Sequence, residues 1–130
     1  MTVTKWHSNK ARPLVINNSD VLEKRFENEK LFKGITATAG GFYGPQGRIL
    51  RLALQDSSLN SKIDSFNYSG LRITNLEMET STIYGLSKLL GHNALSLNAI
   101  IANRADGSFS KDPGMVIKNL IKYTLNRITE

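Results

Sequence analysis

The sequence FYGPQGR at residues 42–48 follows a β-rich segment at residues 31–39. Its two glycines and its proline predict a turned backbone rather than a helix or a strand. Gln46 and Arg48 then project from a loop of limited freedom, and Phe42 lies beside them. Taken by itself, the stretch is more typical of a surface turn with solvated side chains.

The side chains of Gln46 and Arg48 also suggest a ligand. An amide offers one acceptor and two donors, whereas a guanidinium offers only donors in a planar fork. Together they suit a flat ligand whose edge carries carbonyls and an N–H, and Phe42 and Tyr43 can cover its face. A pyrimidine base has this shape and edge.

The composition predicts one globular domain. The chain has 130 residues, 40% hydrophobic and 22% charged, and no cysteine. Disulfides and thiolate metal sites are therefore excluded, and with two histidines we expect no metal site. No apolar run could span a bilayer, and residues 1–12 form a polar arm without the apolar core of a secretory signal, so we expect a cytoplasmic protein without a membrane partner.

The net charge of +6 is compatible with a polyanionic partner. The basic residues are dispersed, however, and no basic run with interleaved aromatic residues is present. This distribution favours the solvated surface of a basic protein over a nucleic-acid interface. Anionic substrates such as phosphate remain compatible with it.

Apolar periodicity predicts strands that alternate with helices. The predicted strands are residues 13–17, 31–39, 71–76 and 94–102, with a further apolar, strand-like segment at residues 49–54. The predicted helices are residues 18–30, a short helix ending near residue 66, residues 77–90, and a last helix that Asp112 caps and Pro113 begins.

This alternation predicts an α/β sheet, in which ligands bind beyond the carboxyl ends of the strands. Three such ends carry unusual residues, at 40–48, 75–79 and 103–104. We therefore expect these three segments to form one site.

The sequence Glu77-Met78-Glu79 lies at a predicted strand-to-helix junction. A helix cap explains Glu77, because a helix N-terminus favours a carboxylate. A second carboxylate exceeds what a cap needs, and Glu79 suits a vicinal diol such as that of ribose. Metal binding would need more ligands than this pair supplies. A paired-carboxylate glycosidase would need the two groups to face each other, but neighbouring helix positions point apart, so we disfavour both alternatives.

Glycines at positions 41, 44 and 47 superficially suggest a phosphate loop. The apolar, strand-like residues that follow argue against it, because a phosphate loop leads into a helix N-terminus with Lys-Ser/Thr.

Three segments resemble the uridine phosphorylases of the nucleoside phosphorylase family: GFYGPQGR at residues 41–48, NLEME at residues 75–79 and IANR at residues 101–104. The order and spacing agree from about residue 12 to the C-terminus. The Glu-Met-Glu junction is shared by the whole family, whereas the Gln-x-Arg pair is typical of its uridine enzymes. Purine members carry Asp where this chain has Arg104.

The resemblance implies a pentosyltransferase of pyrimidine nucleoside salvage, which converts uridine and phosphate into uracil and ribose 1-phosphate. Phosphate is then a co-substrate, and no cofactor or metal is implied. The implied roles are base binding by Phe42, Gln46 and Arg48, and ribose binding by Met78 and Glu79 with Glu77. Arg104 is the implied catalytic residue, because it would support negative charge on the departing base.

The resemblance also implies a three-layer, mixed-sheet fold, of which residues 1–130 would be a single partial domain, the later half. The family's phosphate site lies mostly in the earlier half, as do the residues that it borrows from a neighbouring subunit of its homo-oligomer. We therefore expect a fragment that exposes apolar sheet surface and is inactive alone.

Two alternatives remain open. The chain could be a non-catalytic, basic α/β module that binds nucleosides, RNA or a protein. It could also be a nucleosidase of the same fold, which uses water in place of phosphate.

Overall fold

The computed structural model describes residues 13–28 and 30–129. The predicted polar arm at residues 1–12, with Trp6, lies outside the described residues. Helices and sheet are mixed along the chain, which confirms the α/β class.

A three-stranded sheet organises the fold. Strand β1 (Ile35–Thr38) pairs in parallel with strand β3 (Leu71–Glu77), and β2 (Asn67–Tyr68) pairs antiparallel with β3 on its other side. Between β2 and β3 lies a tight turn in which Ser69 and Gly70 adopt φ angles of 51° and 82°. The central strand is therefore β3, and β1 is an edge strand.

Helix α1 (Asp20–Phe26) begins as predicted, because the Ser19 hydroxyl accepts a hydrogen bond from the Leu22 N–H at 3.4 Å. It ends at Phe26, earlier than the expected residue 30. Helix α2 (Leu59–Ser65) is the short helix predicted before residue 66.

Helix α3 (Thr80–Leu89) directly follows β3, and Gly91 lies just beyond its end with a φ of 73°. Helix α4 (Pro113–Thr129) has the predicted start, because Asp112 Oδ1 accepts from the Met115 N–H at 2.8 Å.

Three predicted or strand-like segments are not strands. No residue in 13–17, 49–54 or 94–101 belongs to a strand. Their apolar composition suits a strand, but a strand forms only where a neighbour pairs with it. The segment after residue 101 contains a short hairpin formed by β4 (Ala102–Asn103) and β5 (Ser108–Phe109).

Phe26 is the only apolar side chain that is buried among the described residues, with 5% exposure. Its ring centroid lies 6.2 Å from that of Tyr123 on α4, whose hydroxyl donates to the Phe26 carbonyl at 2.7 Å. Many other large apolar side chains are exposed. The contact between Phe26 and Tyr123 is therefore the part of the described structure that most resembles a hydrophobic core. No described helix is long and apolar enough to cross a membrane.

We expect Phe26→Ala to lower the free energy of unfolding by about 3 kcal/mol, because it empties this buried contact. Phe32→Ala is the matched control, since Phe32 is 99% exposed, and it should change the value by less than about 0.5 kcal/mol. Urea denaturation followed by circular dichroism measures both. Equal effects would show that Phe26 does not anchor the two helices.

Candidate functional site

The loop at residues 42–48 is a defined structure. Residues Gly44–Gln46 form one 3₁₀ turn, with Pro45 at its start, and the Arg48 N–H donates to the Tyr43 carbonyl at 3.0 Å. Gly47 closes the turn with a φ of 75°. A Cβ at Gly47 would collide with the Asn60 side chain, so both conformation and space require glycine here.

Gln46 is buried, with 3% exposure, which overturns a solvated surface turn for this residue. Its Oε1 accepts a hydrogen bond from Arg48 Nη1 at 2.7 Å. Its backbone carbonyl accepts from Arg104 Nη1 at 2.8 Å. The structure thus brings together three of the predicted site residues, and the contact to Oε1 orients the Gln46 amide so that Nε2 is its donor end.

Phe42 belongs to the same cluster. The Arg48 guanidinium lies over its ring, 3.8 Å from the centroid, and Arg48 Nη1 also donates to the Phe42 carbonyl. The ring meets Tyr43 edge-on at 5.2 Å. Phe42 is still 52% exposed, which leaves ring surface for a ligand.

The cluster carries two cations close together. Desolvation lowers the pKa of Arg104, and the positive charge of Arg48 lowers it further. The Arg104 guanidinium nevertheless remains charged at neutral pH, because the ordinary pKa of arginine is far above it. The combined field of the two cations favours a ligand that carries, or develops, negative charge.

Glu77 lies at the junction of β3 and α3, and its carboxylate is largely committed to the protein. Its Oε2 accepts from the backbone N–H groups of Glu79 and Thr80 at 2.7 and 2.6 Å. Its Oε1 accepts from the Thr38 hydroxyl. The helix-cap explanation thus accounts for Glu77, and its additional role in ribose binding stays a prediction.

The pKa of Glu77 reflects this setting. Burial alone would raise it, but the hydrogen bonds from Thr38 and from the backbone of Glu79 and Thr80 outweigh burial and lower it.

Glu79 and Met78 are more accessible. Met78 is 44% exposed, and Glu79 Oε2 accepts only from the Met78 N–H, at 3.0 Å, among the described residues. Both residues come after the end of β3, just as the loop at residues 42–48 comes after the end of β1. Because the two strands are parallel, these two ends lie at the same edge of the sheet. No hydrogen bond or ion pair joins Met78 or Glu79 to the loop at residues 42–48.

The N-terminus of α3 has little capacity for an anion. Its first N–H groups donate to Glu77, and the Ser81 N–H donates to the Thr38 hydroxyl at 3.0 Å. A phosphate would find these donors occupied. Within residues 13–28 and 30–129, no cluster of three His, Asp or Glu side chains could hold a metal ion.

Two supporting residues were not predicted. Asn60 Nδ2 on α2 donates to the Gly47 carbonyl at 3.0 Å and so holds the loop. Thr38 links the end of β1 to Glu77 and to α3. No sequence pattern indicates either residue, because each contacts a residue that is distant from it in sequence.

Comparison with known proteins shows a partial similarity. The chain is 36% identical over 78 residues to the uridine phosphorylase of Thermococcus kodakarensis. The matched part is 60% of this chain but 27% of the relative, so the chain spans about a quarter of the relative's length. No protein-family model matches the chain, and no solved structure matches it.

Gly47→Ala should destabilise the loop, because alanine at this φ costs about 1 kcal/mol and its Cβ meets Asn60. Gly44→Ala is the matched control, because open space surrounds that position. NMR shifts of the Gln46 side-chain amide report the loop, and urea denaturation reports stability. Unchanged Gln46 shifts in Gly47→Ala would contradict this account of the turn.

Glu77 should make stability depend on pH. Because the pKa of Glu77 is lower in the folded chain than its ordinary value of 4.5, the ionised carboxylate stabilises the fold at pH values above 4.5. This stabilisation is lost as the pH falls through the lowered pKa of the folded chain. We therefore expect urea midpoints to fall less steeply below pH 4.5 in Glu77→Gln than in the unchanged chain. Parallel slopes in Glu77→Gln and in the unchanged chain would refute the assignment.

Proposed function

We propose that the chain carries the base- and ribose-binding part of a uridine phosphorylase-type pentosyltransferase, within a three-layer nucleoside phosphorylase-like fold. The observation that carries the proposal is the cluster around the buried Gln46. Arg48 donates to its side-chain amide, and Arg104, which is distant in sequence, donates to its backbone carbonyl. The partial similarity to a uridine phosphorylase supports it.

The cluster matches the chemistry of a uracil edge, which presents a carbonyl, an N–H and a second carbonyl in a row. Gln46 Nε2 would donate to one carbonyl, and the remaining lone pair of its Oε1 would accept from the ring N–H. The Arg48 donors not used within the loop would meet the second carbonyl. Because Arg48 and Phe42 already hold each other, this arrangement needs little reordering when the base binds.

Arg104 would act in catalysis. Cleavage of the glycosidic bond leaves negative charge on the base, and a cation that is present before the reaction stabilises that charge most strongly in the transition state. Desolvation and Arg48 disfavour the charged form of Arg104 and lower its pKa, so negative charge that develops beside it would be stabilising. Phosphate would be the attacking co-substrate, and no covalent enzyme nucleophile is required.

The ribose would lie towards the end of β3. Glu79 would accept from the two ribose hydroxyls, with Met78 against the ring, while Glu77 holds the junction that positions them. The site would then be basic at the base end and acidic at the ribose end, which fixes the direction in which a nucleoside enters.

We expect uracil and uridine to bind to the chain more tightly than adenine and adenosine, in isothermal titration calorimetry. Gln46→Ala and Arg48→Ala should each weaken uracil binding by about tenfold or more, because each removes paired hydrogen bonds. Gln55→Ala and Arg51→Ala are the matched controls, being exposed residues of the same types close by in sequence. They should leave the affinity within about twofold.

Equal affinity for purines, or equal losses in the controls, would refute base selection by this cluster. Binding of RNA with a steep dependence on salt would instead favour the basic binding module. Within the same fold, uridine turnover measured with and without phosphate separates a phosphorylase from a nucleosidase.

A further inference from the structure

The peptide group that joins Gly47 to Arg48 is held on both of its sides. Its N–H, which belongs to Arg48, donates to the Tyr43 carbonyl at 3.0 Å. Its carbonyl, which belongs to Gly47, accepts from Asn60 Nδ2 at 3.0 Å. Because a peptide group is planar, these two hydrogen bonds fix its orientation and so the direction in which the Arg48 side chain leaves the backbone.

The Asn60 side chain also packs against Gly47. A Cβ at position 47 would collide with Oδ1 and Cγ of Asn60, so the amide fills the space that the missing side chain leaves. Glycine has more conformational freedom than any other residue. A contact that restrains Gly47 therefore limits how Gln46 and Arg48, on either side of it, move relative to each other.

Helix α2, which carries Asn60, is itself tied to the sheet. Arg72 on β3 donates from Nη2 to the Asp64 carbonyl near the end of α2, at 2.9 Å. Near the start of the helix, Lys62 Nζ donates to Asp56 Oδ2 in the preceding turn, at 2.8 Å. The Asn60 amide therefore connects the loop at residues 42–48 to a helix that the central strand holds.

We propose that Asn60 is a positioning residue for base recognition, an inference that rests on the proposed function. Its hydrogen bond to Gly47 orients the Arg48 side chain, which in turn holds the Gln46 amide at 2.7 Å. Asn60 contacts the backbone of the loop, whereas the base would meet side chains. A site whose hydrogen-bonding groups are already held loses less freedom when its ligand binds.

Changes at position 60 can be made without weakening α2. Asn60 is the second residue of the helix, after the N-cap Ser58. Alanine has a higher helix propensity than asparagine, and the helix dipole favours an aspartate in the first turn. A loss of affinity in Asn60→Ala or Asn60→Asp would therefore come from the loop.

Uracil titrations of the intact chain, followed by NMR, test the role of the donor. Asn60→Ala should weaken uracil binding by about fivefold, the usual contribution of one hydrogen bond. Asn60→Asp keeps the shape of the side chain but replaces the donor with an acceptor, so it should weaken binding at least as much. Ser61→Ala, at an exposed neighbouring position on α2, is the matched control and should leave the affinity within about twofold.

A double-mutant cycle separates positioning from a general structural role. Because Asn60 acts through Arg48, Asn60→Ala should change the affinity by less than about twofold in a chain that already carries Arg48→Ala. Independent, additive losses would overturn the proposal. So would an unchanged affinity in Asn60→Ala, or an equal loss in Ser61→Ala.

The ligand-free chain gives a second measurement. Arg48 Nη1 donates to Gln46 Oε1, so its guanidinium protons should exchange with water about fivefold faster in Asn60→Ala and at the original rate in Ser61→Ala. Unaltered Arg48 exchange in Asn60→Ala would overturn the positioning role. Failure of the unchanged chain to bind uracil would instead refute the proposed function, so the two failures are distinguishable.

Discussion

The parallel pairing of β1 with β3 is the constraint on which the other features depend. It brings the ends of two strands, far apart in the chain, to one edge of the sheet. Side chains reinforce it on one face, where Thr36 donates to Asn75 Oδ1 at 2.8 Å and Thr38 donates to Glu77. Because Thr38 also accepts from the Ser81 N–H, the same pairing fixes the start of α3. The loop after β1 and the junction after β3 therefore share one rigid frame.

Local signals predicted the elements that need no distant partner. Ser19, Asp112 and Pro113 mark helix starts through contacts within a few residues, and the structure has helices there. Strand prediction succeeded for β1 and β3, which pair with each other. It failed at residues 13–17 and 94–101, because a strand depends on a neighbour that composition cannot supply. The same dependence explains the exposed apolar side chains of those segments.

The candidate site divides in a similar way. Residue types together with the family resemblance selected Gln46, Arg48 and Arg104, and the structure places both arginines in contact with Gln46. The sequence could not show that Gln46 is buried, since its burial follows from tertiary packing. It could not identify Asn60 either, whose single contact crosses thirteen positions. The sequence likewise could not show how many hydrogen bonds the Glu77 carboxylate accepts, because one of its donors, Thr38, belongs to another strand.

Arg104 contacts the backbone carbonyl of Gln46, whereas Arg48 contacts its side chain. A carbonyl is present whatever residue occupies the position. In the proposed site, a change of the side chain at position 46 would alter which ligand edge is bound, while the hydrogen bond from the β4–β5 turn would persist. Base selection and charge stabilisation would then be separable in evolution, because they would rest on different atoms of one residue. A lineage could explore new ligands through position 46 without first losing the cation beside it.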